Sequence, residues 1–199
     1  MDYDKFPSMN TEIVLAAEGP GAAQAFAEAR GFIGECEARF TRFSTTSELM
    51  QLNRSAGEWF AASADLYDVV RQAFELTRAT QGLFDPAIYD DMLALGYDRS
   101  FPDLPPRGGA PQPARSVRRS LLDVALDPEA RGIRLPPGVR IDLGGVAKGW
   151  IAEQAARRML GLVDACAVNA GGDLFLRGRP ADGGPWRVGL EDPRGEGGL

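Results

Sequence analysis

The stretch Ile141-Asp142-Leu143-Gly144-Gly145-Val146-Ala147-Lys148-Gly149, continued by Trp150 to Leu160, decides the fold. Arg140 to Leu143 reads as a short strand, and two glycines then make a turn. Ala147 to Leu160 places Ile151, Ala155 and Met159 on one face of a helix. The first N–H groups of such a helix have no partner in the helix and can bind phosphate. Glycine lets the backbone approach a ligand closely, and Lys148 would add a point charge beside it. Asp142 can accept hydrogen bonds from a sugar or a heterocycle. The plain alternative is a glycine-rich turn with Lys148 in water. The stretch is not a Walker A loop, having no Gly-Lys-Ser/Thr, and its glycine spacing differs from the dinucleotide fingerprint.

Working outward, the chain divides into a helical half and a strand-rich half. Thr11 to Ala16 reads as a strand, broken by Gly19-Pro20-Gly21. Ala22 to Phe40 has apolar residues at spacings of three and four and predicts a helix. Ser47 can cap a short helix over Glu48 to Asn53. Ser63 or Asp65 opens a longer helix that buries Leu66, Val69, Val70, Ala73, Phe74 and Thr77. Gly82-Leu83-Phe84-Asp85-Pro86 cannot continue it. Tyr89 to Leu95 predicts another short helix, and Arg99 to Ser120, rich in Pro, Gly and Arg, an exposed loop. Strands are expected at Leu121–Leu126, Ile133–Leu135, Arg140–Leu143, Ala165–Asn169, Leu174–Arg177 and Trp186–Leu190. Helices lead and strands with one helix follow, so the fold class is α+β. Val168-Asn169-Ala170-Gly171-Gly172-Asp173 is either a tight hairpin turn or the glycine wall of a pocket. Arg194 to Leu199 reads as a turn with no returning strand, so the sheet is expected to stop unfinished.

Composition removes several function classes. The 199 residues contain no histidine, which excludes Ser-His-Asp, Cys-His and His-zinc chemistry within them. Twenty-two Lys and Arg face 28 Asp and Glu, a net charge of −6, which argues against a nucleic-acid partner. No apolar run reaches the length of a membrane span, about 20 residues. Met1 to Ser8 holds three charges and no hydrophobic block, so a cytoplasmic location is expected, or export if a leader has been removed. Cys36 and Cys166 sit in apolar patterns and read as two buried thiols. Only Lys5 and Lys148 are lysines. A chain that otherwise uses Arg keeps Lys at a helix start, where its charge opposes the dipole, which favours a functional role.

Taken together and in order, the motifs resemble the ApbE family of FAD:protein FMN transferases. The segments are Met9-Asn10-Thr11, FSTTSELMQLN at Phe43–Asn53, GLFDPAI at Gly82–Ile88, IDLGGVAKGWIAEQAARRML at Ile141–Leu160, VNAGGDLFLRG at Val168–Gly178 and PWRVGLEDP at Pro185–Pro193. The resemblance implies an ApbE-like α+β fold with a mixed or antiparallel sheet and flanking helices, incomplete at its C-terminus. Residues 1–199 would form the N-terminal portion of a single FAD-binding domain. It implies Mg²⁺-dependent transfer of FMN from FAD onto a Thr or Ser hydroxyl of an acceptor protein, with release of AMP. Met9, Phe43, Leu83, Phe84, Asp85, Asp142 and Lys148 match positions that contact FAD, and Gly145 matches one whose backbone oxygen binds Mg²⁺. Phe43 stands where many members have tyrosine. The family's later segments, which carry a histidine and Asp and Thr metal ligands, are not in this sequence, so no catalytic residue is assigned. The alternatives are an FAD-binding module without transferase activity and an FAD pyrophosphatase.

Overall fold

The computed structural model describes residues 1–99 and 120–189. Most of the expected 99–120 loop, Leu190 and the Arg194–Leu199 turn lie outside the described residues.

Two antiparallel hairpins make the main sheet. Strands β1 (Asp2–Ser8) and β2 (Thr11–Glu18) form the first, and β6 (Ala165–Ala170) and β7 (Asp173–Gly178) the second. They join through β2 and β6, giving the order β1-β2-β6-β7. Both turns have two residues, Met9-Asn10 and Gly171-Gly172, all with positive φ. Such turns match the right-handed twist of the strands they connect. Gly171 is required for a further reason: a Cβ there would lie 2.4 Å from Thr11 Oγ1, because the two turns sit side by side.

Strand β1 was not anticipated, since charges and Pro7 obscure its alternation. Its half-buried residues Asp4, Phe6 and Ser8 alternate toward helix α1 (Ala22–Phe40). Arg30 of that helix pairs with Asp4 at 2.5 Å and lies 4.1 Å from the Phe6 ring centroid. Pro7 is tolerated because β1 is an edge strand, where one missing N–H costs little.

Helix α1 and helix α5 (Ala147–Met159) pack against each other, and both contact the sheet. Trp150 of α5 meets Phe40 edge-on at 5.8 Å and lies tilted to Phe32 at 6.1 Å. Such ring pairs add about 0.5–1.5 kcal/mol to their burial. Helices α2 (Glu48–Arg54) and α3 (Ala64–Ala79) begin as expected: Ser47 accepts from Met50 N and Ser63 from Leu66 N. A short second sheet joins β3 (Phe60–Ala61), β4 (Ala125–Asp127) and β5 (Gly132–Arg134) in the order β3-β5-β4. Helix α4 (Tyr89–Ala94) is short. Most of the buried apolar residues form one continuous cluster. Among the described residues, no helix is long and apolar enough to cross a membrane.

Three expected strands are corrected. Leu121–Leu126 opens instead as a 3₁₀ turn at Leu121–Asp123, because Asp85 takes the Leu121 N–H and the Ser120 hydroxyl. Arg140–Leu143 joins no sheet. The Asn53 side chain occupies both backbone groups of Ile141, and Asp142 N donates to Pro86 O. Trp186–Gly189, the described part of the last expected strand, is irregular, with the Trp186 indole N–H bonded to Gly178 O at 3.1 Å.

Candidate functional site

A cavity of about 440 Å³ opens where the Met9-Asn10 turn, the end of α1 and the start of α5 converge. Helix α4 closes one side with Ile88, just before it, and Met92. The floor is the glycine-rich segment, Asp142 to Gly145.

The start of α5 offers unsatisfied donors. Its N-cap position is Val146, whose side chain cannot cap. Val146 N and Ala147 N both donate to Leu143 O, and Trp150 N donates to Val146 O. Among the described residues, the Lys148 and Gly149 N–H groups therefore have no partner, and the half-buried Lys148 side chain forms no ion pair. Such a terminus attracts anions through both its dipole and its free donors.

Asp142 is held from two sides. Its Oδ1 accepts from Gly144 N at 2.8 Å, and its Oδ2 accepts from Arg42 Nη1 at 3.2 Å. Both side chains are only 12% exposed, so the pair is less screened than a surface bridge. The Arg42 guanidinium also lies 4.7 Å from the Phe43 ring centroid. Phe43 itself is 48% exposed on the cavity wall.

The eight sequence-derived residues separate into three groups. Met9, Phe43, Asp142, Gly145 and Lys148 line the cavity together. Phe84 packs beneath it, with its Cε2 3.0 Å from where a Gly145 Cβ would stand. Leu83 and Asp85 are outside the lining: Leu83 is 94% exposed, and Asp85 spends its oxygens on Ala87 N, Leu121 N and the Ser120 hydroxyl. The Asn169–Asp173 segment is a self-contained turn, with Asn169 Oδ1 accepting from Gly172 N, and it does not line the cavity.

Arg42, Glu37 and the α4 residues escaped the sequence reading. Arg42 acquires its place only through Asp142, far away in sequence. Glu37 left a trace: it lies four residues after buried Ile33 and three before buried Phe40, on the inward edge of α1. A second, wider depression of about 660 Å³ runs along the β1–β2 hairpin and shares Asn10 and Glu37 with the cavity. It contains none of the glycine-rich motif.

The thiols are not candidates for chemistry. Both are fully buried, and burial pushes Cys36 up to about 12 and Cys166 to about 11. Among the described residues, no group of three or more His, Cys, Asp or Glu is placed to hold a metal ion.

The cavity thus joins a flat apolar wall, two cations and an open helix start, a combination suited to an aromatic ring linked to phosphate. A curated FAD:protein FMN transferase of Vibrio cholerae is 27% identical over 164 residues, covering 80% of this chain and 48% of that protein. The one from Rhodobacter capsulatus is 31% identical over 158 residues, 73% of this chain and 28% of that protein. The chain spans about half or less of the length of the curated relatives it matches. In structure, it resembles the apo flavinyl transferase ApbE of Pseudomonas stutzeri with a TM-score of 0.80 at 20% identity, over 97% of this chain and 62% of that one. The ApbE protein of Thermotoga maritima gives 0.77 at 22% identity, over 98% and 65%. These likenesses confirm the α+β architecture of antiparallel sheets and flanking helices. The family model itself matches residues 9–198, from the Met9 turn at the cavity to past the last described strand, and so this chain belongs to the ApbE family.

Proposed function

We propose that residues 1–199 are the FAD-binding, N-terminal portion of the catalytic domain of an FAD:protein FMN transferase. One observation carries the reading: Met9, Phe43, Asp142 and Lys148, which lie far apart in sequence, line one cavity at the uncapped start of α5. Phe43 and Met9 offer the apolar surface for a ring. Lys148 and the free N–H groups of α5 receive the pyrophosphate. Arg42 keeps the Asp142 carboxylate from repelling it.

In the proposed reaction, a Thr or Ser hydroxyl oxygen of the acceptor attacks the phosphorus on the FMN side. A new P–O bond forms, the P–O bond to the bridging oxygen breaks, and that oxygen leaves with AMP. The hydroxyl proton passes to solvent. This chain's contribution is to bind and orient, which supplies much of the acceleration in phosphoryl-type transfers.

Magnesium is tested by the donor set. Among the described residues no group of three or more His, Cys, Asp or Glu surrounds Gly145 or any other point as a metal shell, and Asp142 is already committed to Arg42 and Gly144. Mg²⁺ requires near-octahedral oxygen coordination at about 2.0–2.1 Å. The described residues do not make that shell.

The test is titration of the chain with FAD, followed by incubation with FAD, Mg²⁺ and an acceptor protein whose Thr or Ser hydroxyl is not yet flavinylated. Saturable FAD binding with covalent, fluorescent flavin on the acceptor supports the transferase. Binding without covalent transfer identifies a binding module, and free FMN plus AMP identifies a pyrophosphatase. No FAD binding overturns the reading.

A further inference from the structure

The Met9-Asn10 turn is held in an unfavourable conformation by a residue that no motif marks. Met9 has φ 52° and Asn10 has φ 58°. Asparagine tolerates the left-handed region, whereas methionine pays for it through its Cβ. Residues held this way persist only where their surroundings over-determine them, and they cluster at functional sites. Here the surroundings are the apolar core against which Met9 packs, the neighbouring Gly171-Gly172 turn, and one carboxylate that alone bonds the Met9 backbone. Glu37 of α1 accepts from Met9 N at 2.7 Å through Oε1 and from the Ser8 hydroxyl at 2.6 Å through Oε2. Both are charge-assisted hydrogen bonds, the stronger kind. Glu37 and Met9 line the cavity together.

We propose that Glu37 is a positioning residue, which fixes the Met9 turn against the cavity and thereby sets the affinity for the flavin nucleotide. The proposal rests on the FAD-binding reading for its ligand and on the two hydrogen bonds for its geometry. Three features support positioning over mere structure. The bonded N–H belongs to the cavity residue itself. The turn needs an external hold because its first residue is not glycine. Both carboxylate oxygens are spent on the turn, and no ion pair to Glu37 is present among the described residues.

The experiment compares Glu37→Ala and Glu37→Gln in the full chain, with two readouts. The first is amide hydrogen exchange. Glu37→Ala should speed exchange at Met9 N–H at least tenfold, leaving the β1–β2 ladder protected. Glu37→Gln should restore protection, since its amide oxygen still accepts from Met9 and its NH₂ can donate to Ser8. Unchanged Met9 exchange in Glu37→Ala overturns the proposal. The second is FAD affinity by fluorescence titration, within a cycle with Met9→Ala. Each single alanine variant should weaken binding about tenfold, and the double variant should lose little more, because Glu37 acts through Met9. Additive losses, or unchanged affinity in Glu37→Ala, overturn it. If the unaltered chain does not bind FAD, the functional reading falls, while the exchange readout still decides whether Glu37 holds the turn.

Discussion

The side-chain amide of Asn53 pairs with both backbone groups of Ile141: Nδ2 donates to Ile141 O at 2.9 Å, and Oδ1 accepts from Ile141 N at 2.8 Å. Asn53 is 2% exposed and Ile141 fully buried, so water cannot replace it. Asn53→Ala leaves two buried backbone groups unpaired and should cost about 2–4 kcal/mol. Urea unfolding at unchanged m-value measures this. Asn53→Asp keeps an acceptor but no donor for Ile141 O, and should be no more stable than the alanine variant.

Arg42→Ala removes the counter-charge of Asp142 and the cation over Phe43 together. FAD affinity should fall about tenfold, close to 1.4 kcal/mol. Arg42→Lys should recover only part of it, because an ammonium cannot reproduce the planar contact with the ring. Calorimetric titration of the three proteins checks the order.

Lys148→Ala should weaken FAD binding several-fold, about 1 kcal/mol, with little change in the thermal midpoint, because the side chain forms no hydrogen bond or ion pair among the described residues. The salt dependence of binding should become shallower, since one phosphate contact is gone. Equal affinity and equal salt slope would remove Lys148 from the site.

Gly145→Ala tests the packing under the cavity floor. The added methyl would meet Phe84 Cε2 at 3.0 Å, closer than carbon atoms normally approach. The expected destabilisation is about 1–3 kcal/mol, and Phe84→Leu in the same chain should relieve part of it. Thermal unfolding of the single and double variants decides whether this contact is the cause.

Acid stability should carry a contribution from Asp68. Burial works against its ionised form, but hydrogen bonds from Arg71 and the Trp150 indole N–H outweigh burial and lower its pKa below 3.8. A carboxylate depressed in the folded state stabilises above its unfolded pKa, and that contribution disappears as pH falls through the folded value. Asp68→Asn should therefore flatten the fall in stability below about pH 4, as read from thermal midpoints across an acid series.

Local signals made most of the helical frame legible. Ser47 caps the helix it was expected to cap, Ser63 proves to be the cap of the two starts that Ser63 and Asp65 offered for α3, and α1 runs from Ala22 to Phe40 as its apolar spacing predicts. The sequence failed where a side chain took a backbone group's place. Arg140 to Leu143 has the composition of a strand, yet its hydrogen bonds go to Asn53 and Pro86, and Leu121 gives its N–H to Asp85. The site divides in the same way. The place of motif residues such as Lys148 and Gly145 on the cavity wall was readable. Arg42 and Glu37 matter through partners on other elements, and no local pattern records such a pairing.

The join between the two hairpins sets an order of events during synthesis. Ile13 of β2 faces Ala170 of β6, so the sheet cannot form until nearly all of the intervening chain has been made. Pairings between such distant residues are slow, because loop closure must precede any gain from contact. Met9 precedes the closed stretch and Lys148 lies within it, on α5, which packs on α1. A nascent chain that has exposed only β1, β2 and α1 holds half a cavity and a bare sheet edge. The cavity that joins Met9 to Lys148 thus arrives late, once α5 has been made and packs on α1, and under the proposed function a flavin nucleotide present at that moment would draw the chain past its most aggregation-prone stage.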